Sequence, residues 1–334
     1  MPAIIEARGL RKSFQITRRR PGVFGAFANL FAPRYQTVHA VDGVSFTLQE
    51  GEMVGYLGPN GAGKSTTIKM LTGLLVPSGG ELLVDGLIPW KDRARYVARI
   101  GAVFGQRTTL WWDLPVIESF ELLQPMYRVP LARFRRSLDE FVALLEMESF
   151  LSTPVRALSL GQRMRADLCA ALLHEPRLVF LDEPTIGLDV IAKERIRQFV
   201  RHIHRERGVT VLLTTHDLSD VERLCERVMI LDRGQVLYDD TLAALNGRFE
   251  SDWLLVITFA GDYEDVSLPG LPPPEREGHR ATYRFDHRRI SSADLIQQIL
   301  PRFRITDVEV RRPALEETIR RIYEERLLHS TGLH

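Results

Sequence analysis

Residues 58–66 run Gly58-Pro59-Asn60-Gly61-Ala62-Gly63-Lys64-Ser65-Thr66, and the rest of the chain is best approached from them. The glycines let the backbone curl so that successive N–H groups point at phosphate oxygens. Lys64 supplies a compact positive charge for the β- and γ-phosphates of a nucleotide, and Ser65 offers a hydroxyl to Mg²⁺. The flanks agree. Glu52 to Leu57 is predicted as a short buried strand, and Lys64 to Leu75 as a helix that starts at the loop. Only five of the 44 basic residues are lysines, so this lysine is not the by-product of a lysine-rich surface. Arginine could not replace it, because its planar fork does not fit inside the loop.

Working outward, the 334 residues have room for one large domain and a smaller one, or for two domains. A net charge of +1 gives no bulk electrostatic argument for nucleic acid. The excess of arginine over lysine lowers the weight of any single arginine cluster. Cys169 and Cys225 fall in helical, partly apolar settings without metal-ligand spacing, so they are expected as free buried thiols of a reducing compartment. No apolar run approaches bilayer length and no signal-peptide core opens the chain. The expectation is a protein in the cytosol or held at a membrane by a partner.

Ile4 to Phe14 and Val38 to Leu48 alternate like strands. Between them lies the insert 15–37, with Arg18-Arg19-Arg20, Pro21-Gly22 and the apolar stretch Val23 to Phe31. It is either an amphipathic segment for a membrane surface or partner helix, or a surface loop with one hydrophobic anchor. Gly101 to Gln106 is a further apolar strand. In Leu110-Trp111-Trp112-Asp113-Leu114-Pro115, two adjacent tryptophans cannot both face one core from a regular element, so one is expected at the surface. Helical patterns cover Ile117 to Tyr127, Leu131 to Met147 and Ser159 to Leu173. The last opens with a capping-box pattern, Ser159 as N-cap and Gln162 three residues on. Leu178 to Leu181 is a continuous apolar strand ending in Asp182-Glu183-Pro184, and Val209 to Thr214 another, ending in Thr215-His216-Asp217. Strands alternating with helices predict an α/β core with a mostly parallel sheet, with its chemistry just past the strand ends. After Tyr238 the pattern changes to a small α+β module. Its strands are predicted at 252–259, 281–285 and 305–310, its helices at 293–300 and 313–327, with a linker near 243–250.

Taken together, Gly58 to Thr66, Gln106, Leu158-Ser159-Leu160-Gly161-Gln162, Leu178 to Glu183, Asp189 and His216 resemble the Walker A, Q-loop, signature, Walker B, D-loop and H-loop of an ABC ATPase. The resemblance covers residues 4 to 240. It implies a P-loop cassette over 1–242 with a helical subdomain at about 107–172, followed by an accessory domain at 250–334. It implies ATP and Mg²⁺ as ligands. Gly58, Pro59, Asn60, Gly61, Ala62, Gly63, Lys64, Ser65 and Thr66 would hold the phosphates. Ser65, Gln106 and Asp182 would hold the metal. Glu183 would polarise the attacking water, His216 would contact the γ-phosphate, and Gln106 would sense both. Ser159, Gly161, Gln162 and Asp189 would face nucleotide bound to a second ATPase subunit, since the chain carries one Walker A and one signature. The family pattern has glycine where this chain has Leu160. An aromatic residue stacks on adenine in the family. Phe14 takes that place after Leu10-Arg11-Lys12-Ser13, with Tyr35 as its rival.

The Walker A form and the tail Arg312-Pro313-Ala314-Leu315-Glu316-Glu317 are similar to ATPase subunits of ABC-2-type exporters, drug-resistance systems included. That implies permease subunits on separate chains, a peripheral location at the cytoplasmic face of the plasma (inner) membrane, and no nucleic-acid partner. The Trp111-Trp112 segment is then either a docking surface for the permease or ordinary core. A soluble ABC ATPase without a permease, or an importer ATPase, is the alternative.

Overall fold

The structure is a computed structural model that describes residues 2–18, 34–105, 107–248, 252–311 and 315–331. In chain order the first elements are β1 (Ala3–Arg18), β2 (Arg34–Gln49), β3 (Met53–Leu57), α1 (Lys64–Leu71), β4 (Gly79–Val84), α2 (Arg93–Val97) and β5 (Ile100–Phe104). There follow α3 (Val116–Tyr127), α4 (Leu131–Leu144), α5 (Leu160–Leu172), β6 (Leu178–Asp182), α6 (Val190–Arg207), β7 (Thr210–Thr214), α7 (Leu218–Leu224), β8 (Arg227–Asp232) and β9 (Gln235–Thr241). The chain divides into two compact units, Met1–Asp239 and Asp240–His334.

The first unit is organised by a six-stranded sheet in the order β5-β6-β7-β3-β8-β9. From β5 to β8 the neighbours run parallel. Helical crossovers cover both faces of such a sheet, so β3 and β7 are buried along their whole length, and their sequences are near-continuous apolar runs. The register aligns the strand ends: Phe104 pairs with Asp182, and Asp182 with Thr214. This places the loops after β3, β5, β6 and β7 along one edge, where an open α/β sheet binds ligands. A second, antiparallel sheet, β2-β1-β4, shares the core through Ile5, Leu10, Val44 and Val84.

The insert is shorter than the sequence suggests. β1 and β2 continue as one hairpin through Phe14↔Val38, Ile16↔Gln36 and Arg18↔Arg34. Residues 19–33, with Arg19, Arg20 and the stretch Val23 to Phe31, lie outside the described residues. The reason for the difference is that the apolar residues of these strand ends, Ile16 and Tyr35, stay exposed, so no buried face marks the ladder that holds them.

The second unit runs α8 (Leu242–Arg248), β10 (Asp252–Phe259), β11 (Glu275–Glu277), β12 (Arg280–Asp286), α9 (Ser292–Ile299), β13 (Ile305–Arg311) and α10 (Leu315–Thr331). Its antiparallel sheet, β11-β12-β10-β13, packs Leu255, Ile257, Tyr283 and Phe285 with Leu295 and Ile299 of α9. Of the linker expected near 243–250, residues 243–248 belong to the helix α8, and 249 and 250 lie outside the described residues. Thr241 Oγ1 accepts from Ala244 N at 3.1 Å as its cap, and Leu245 is fully buried. Arg312, Pro313 and Ala314 lie outside the described residues.

Candidate functional site

The loop between β3 and α1 is shaped by steric limits. Gly61 and Gly63 have φ of 84° and 101°, where side chains are strained. A Cβ on Gly63 would run into the carbonyl oxygen of Ala40, and one on Gly58 would lie 2.7 Å from that of Leu231. The loop therefore keeps its backbone bare, as close approach to phosphate requires. Lys64, at the start of α1, is buried, and its ammonium donates to the carbonyls of Gly58 at 2.6 Å and Pro59 at 3.1 Å. Burial pulls the Lys64 pKa down, against the nearby charges of Glu183 and Asp182.

Asn60, Ser65, Lys69, Asp182, Glu183 and His216 line one open cleft of about 740 Å³. The two acids are set by β7. Thr214 Oγ1 donates to Asp182 Oδ1 at 2.5 Å, while Glu183 N donates to the Thr214 carbonyl at 2.9 Å. Glu183 sits at φ 56°, a conformation that a non-glycine residue keeps only when its surroundings impose it. Its carboxylate meets His216 Nε2 at 2.5 Å. On the other side of the acids, Gly105 N donates to the Asp182 carbonyl at 2.8 Å. A Cβ on Gly105 would collide with the Glu183 carbonyl oxygen. Gln106, the next residue, lies outside the described residues, but Arg107, Thr108 and Thr109 line the same cleft.

The remaining candidates lie elsewhere. Ser159 caps α5 with the full capping box: Ser159 N donates to Gln162 Oε1 at 2.9 Å, and Gln162 N to Ser159 Oγ at 3.2 Å. Asp189 caps α6 by accepting from Ala192 N at 2.8 Å. These two helix starts adjoin, since a Cβ on Gly161 would lie 3.5 Å from that of Ala192. Neither Ser159, Gly161, Gln162 nor Asp189 is among the residues lining the cleft. Around them Leu160 is 41% exposed, Val190 79% and Ile191 71%, an apolar surface beside two helix N-termini. Phe14 and Tyr35 lie on opposite faces of the β1–β2 hairpin, because Tyr35 pairs with Thr17, three positions on. Phe14 has the Lys12 ammonium 5.5 Å from its ring centre.

Two links escaped the sequence reading. Thr214 was read only as the end of a strand, although its hydroxyl touches both acids' segment. Asp167, on α5, accepts from Thr108 Oγ1 at 2.8 Å and Thr109 N at 3.0 Å, so the helix that Ser159 starts is bound to the segment lining the cleft. Burial pushes the Asp167 carboxyl up to about 6, against the hydrogen bonds of Thr109 and Thr108 and the charge of Arg163. Trp111 and Trp112 stand outside any regular element, and both are exposed, with the Arg163 guanidinium 4.8 Å from the Trp112 ring centre. Cys169 and Cys225 are free and buried, and burial raises both thiols. Among the described residues, no helix is long and apolar enough to cross a membrane.

Residues 41–186 match a family model described as ABC transporter. The uncharacterized ABC transporter ATP-binding protein YhcH of Bacillus subtilis (strain 168) is 38% identical over 59% of this chain, and the match spans 63% of YhcH. The linearmycin resistance ATP-binding protein LnrL of the same organism is 34% identical over 66% of this chain and 70% of its own length. Among solved structures, the dimeric, post-hydrolysis ATP-binding cassette MJ0796 bound to ADP and Pi has a TM-score of 0.60 and 26% identity. That likeness covers 71% of this chain and 98% of that one.

Proposed function

The chain belongs to the ABC transporter ATP-binding proteins, whose cassettes hydrolyse ATP, and we propose that it powers an exporter of the ABC-2 type as one of two paired cassettes beneath a separate permease. The observation that carries the pairing is the division of the site. The phosphate loop, the acids and His216 share one cleft, while the start of α5 and Asp189 lie outside it, beside the exposed Leu160, Val190 and Ile191. Neither half encloses a triphosphate, and a two-fold pairing sets each against its complement on the other copy. Residues 1–242 are the cassette in this reading, and 250–334 an accessory domain.

Within one site, the backbone of 58–63 and Lys64 would hold the phosphates. The bare cradle, the hydroxyl of Ser65 and the carboxylate of Asp182, itself held by Thr214, suit Mg²⁺, with Gln106 as the third group toward it. Bound there, the ion would neutralise charge on the transferring phosphoryl group. Glu183 takes the proton of the attacking water, and His216 holds the γ-phosphate from the far side. Lys64 and Glu183 now rest on the Gly58 and Pro59 carbonyls and on His216. A γ-phosphate would compete for both Lys64 and His216. Ser159, Gly161 and Gln162 would offer the positive end of α5 to the partner's γ-phosphate. Phe14 would carry the adenine, on the face of the hairpin away from Tyr35.

LnrL's name associates it with linearmycin resistance, and that supports export of an amphiphilic or drug-like compound here, from the cytoplasmic face of the membrane. The exposed Trp111 and Trp112 suit a permease contact. Turnover per subunit should rise with protein concentration as cassettes pair. Constant turnover down to fully monomeric protein would sink the shared site. Expressed with an ABC-2 permease gene from the same locus, the chain should co-purify with that membrane protein in detergent. Recovery of the chain alone would argue for a cassette without a permease.

A further inference from the structure

The segment that follows Glu183 and the segment that precedes His216 are tied to one buried carboxylate. Asp220, on α7, is fully buried, and its Oδ2 accepts from Thr185 Oγ1 and, at 3.1 Å, from Thr215 Oγ1. Thr185 stands two residues after Glu183, and Thr215 directly before His216. The other oxygen, Oδ1, accepts from Arg197 Nε at 2.6 Å. Arg197 is 5% exposed and sits on α6, the helix that Asp189 caps. Its Nη2 donates to Ser219 Oγ at 2.9 Å, which fixes the guanidinium from a second side.

An ion pair this deep is poor evidence of a stabilising role, because desolvating two charges offsets most of their attraction. Apolar side chains of the same volume would join α6 to α7 as well. They could not accept hydroxyl hydrogen bonds from two different loops through one oxygen. Glu183 makes such a brace necessary. Its backbone is at φ 56°, so its carboxylate direction depends on what holds the residues on either side. On one side that is Thr214, through Glu183 N. On the other it is Thr185, through Asp220.

We propose that Asp220 and Arg197 are positioning residues for ATP hydrolysis. Asp220 sets Glu183 and His216 relative to one another through Thr185 and Thr215, and Arg197 fixes the Asp220 carboxylate. The inference rests on the roles given above to Glu183 and His216. Neither Asp220 nor Arg197 is among the residues lining the cleft. Their effect is on kcat, because misplacing a water-orienting group by a fraction of an ångström slows the reaction without altering how the phosphates are gripped.

The test uses the full chain and the isosteric pair Thr185→Val and Thr215→Val, which remove the two hydroxyls and leave the ion pair in place. Each single variant should lower kcat about tenfold and the double variant about 100-fold. KM for ATP and the affinity for a fluorescent ATP analogue should stay within about threefold of wild type. Thr185→Ser with Thr215→Ser should restore kcat to within about twofold, since serine returns the donors. Asp220→Asn should fall at least as far as the double variant. Should it fail to fold, the threonine variants still decide the matter. A folded Thr185→Val/Thr215→Val protein with wild-type kcat, or one whose only change is a lower melting temperature, overturns the proposal. So does a serine variant no better than the valine one. Glu183→Gln is assayed alongside. If it hydrolyses at the wild-type rate, the reading of Glu183 itself fails. If it is inactive while the valine variants are normal, the positioning role alone fails.

Discussion

In the cleft after β3, β6 and β7, polar side chains from separate loops converge on one volume. At the starts of α5 and α6 they turn back on their own helices. Glu183 meets His216, and Asp182 meets Thr214, across the sheet edge. Ser159 instead closes on Gln162 and Asp189 on Ala192, each three residues away. Beside these exposed caps the helix starts also present apolar side chains, Leu160, Val190 and Ile191. The first region can grip and polarise a phosphate but is open on one side. The second has helix N-termini and apolar area to bury, and its capping residues lie outside that cleft. The difference teaches that a single chain carries two unlike halves, each supplying what the other lacks.

The largest expected effects separate functions within the first half. Glu183→Gln should lower kcat by about 10²–10³ while ATP affinity stays within about threefold, because the lost group acts on water. Lys64→Ala should weaken ATP binding at least about tenfold and remove turnover with it, because the ammonium serves the ground-state phosphates. Nucleotide titration and steady-state hydrolysis on the two variants check this. Equal losses of affinity in both would mean that the cleft does not divide gripping from chemistry.

A smaller effect probes the link between the halves. Asp167 joins α5 to Thr108 and Thr109 of the cleft, and its carboxyl is raised to about 6. The folded state holds this proton more tightly than the unfolded chain. Unfolding free energy should therefore fall as pH rises from about 4 to about 6, by on the order of 1–3 kcal/mol, and be flat above. Asp167→Asn keeps the acceptor oxygen and should erase that slope in denaturant melts across pH. Asp217 runs the other way and in a lower window. Burial would raise it, but Lys193 and Ser219 pull it down to about 2. The stability it contributes is present above the ordinary aspartate range and is lost as pH falls toward 2. An unchanged slope in Asp167→Asn would remove the carboxyl from the link.

The cleft was legible in the sequence because its residues sit at the ends of apolar runs: Leu178 to Leu181 before Asp182-Glu183, and Leu212-Leu213 before Thr214 to His216. Burial imposes those runs on a parallel sheet, so strand and site announce each other. The capping box of Ser159 and Gln162 was equally local and equally readable. What escaped has partners far along the chain. Asp167 reaches Thr108 across 59 positions, and Thr185 reaches Asp220 across 35. Nothing in the spacing of either acid marks it as shared between elements. The hairpin beyond Phe14 and the helix α8 were missed for a different reason. One is a ladder exposed to solvent, and the other a short helix of ordinary residues with one buried leucine, Leu245.

The claim that the two halves meet only across a pair of chains is tested most directly at Ser159. Ser159→Asp keeps a residue equally good at capping α5, so the helix survives. It also places a negative charge where the partner's γ-phosphate would bind. Glu183→Gln protein with ATP should form a stable dimer in sedimentation, and adding Ser159→Asp should leave it monomeric while each monomer binds ATP as before. A dimer that persists with Ser159→Asp, or a monomer whose own ATP affinity collapses, would contradict the account.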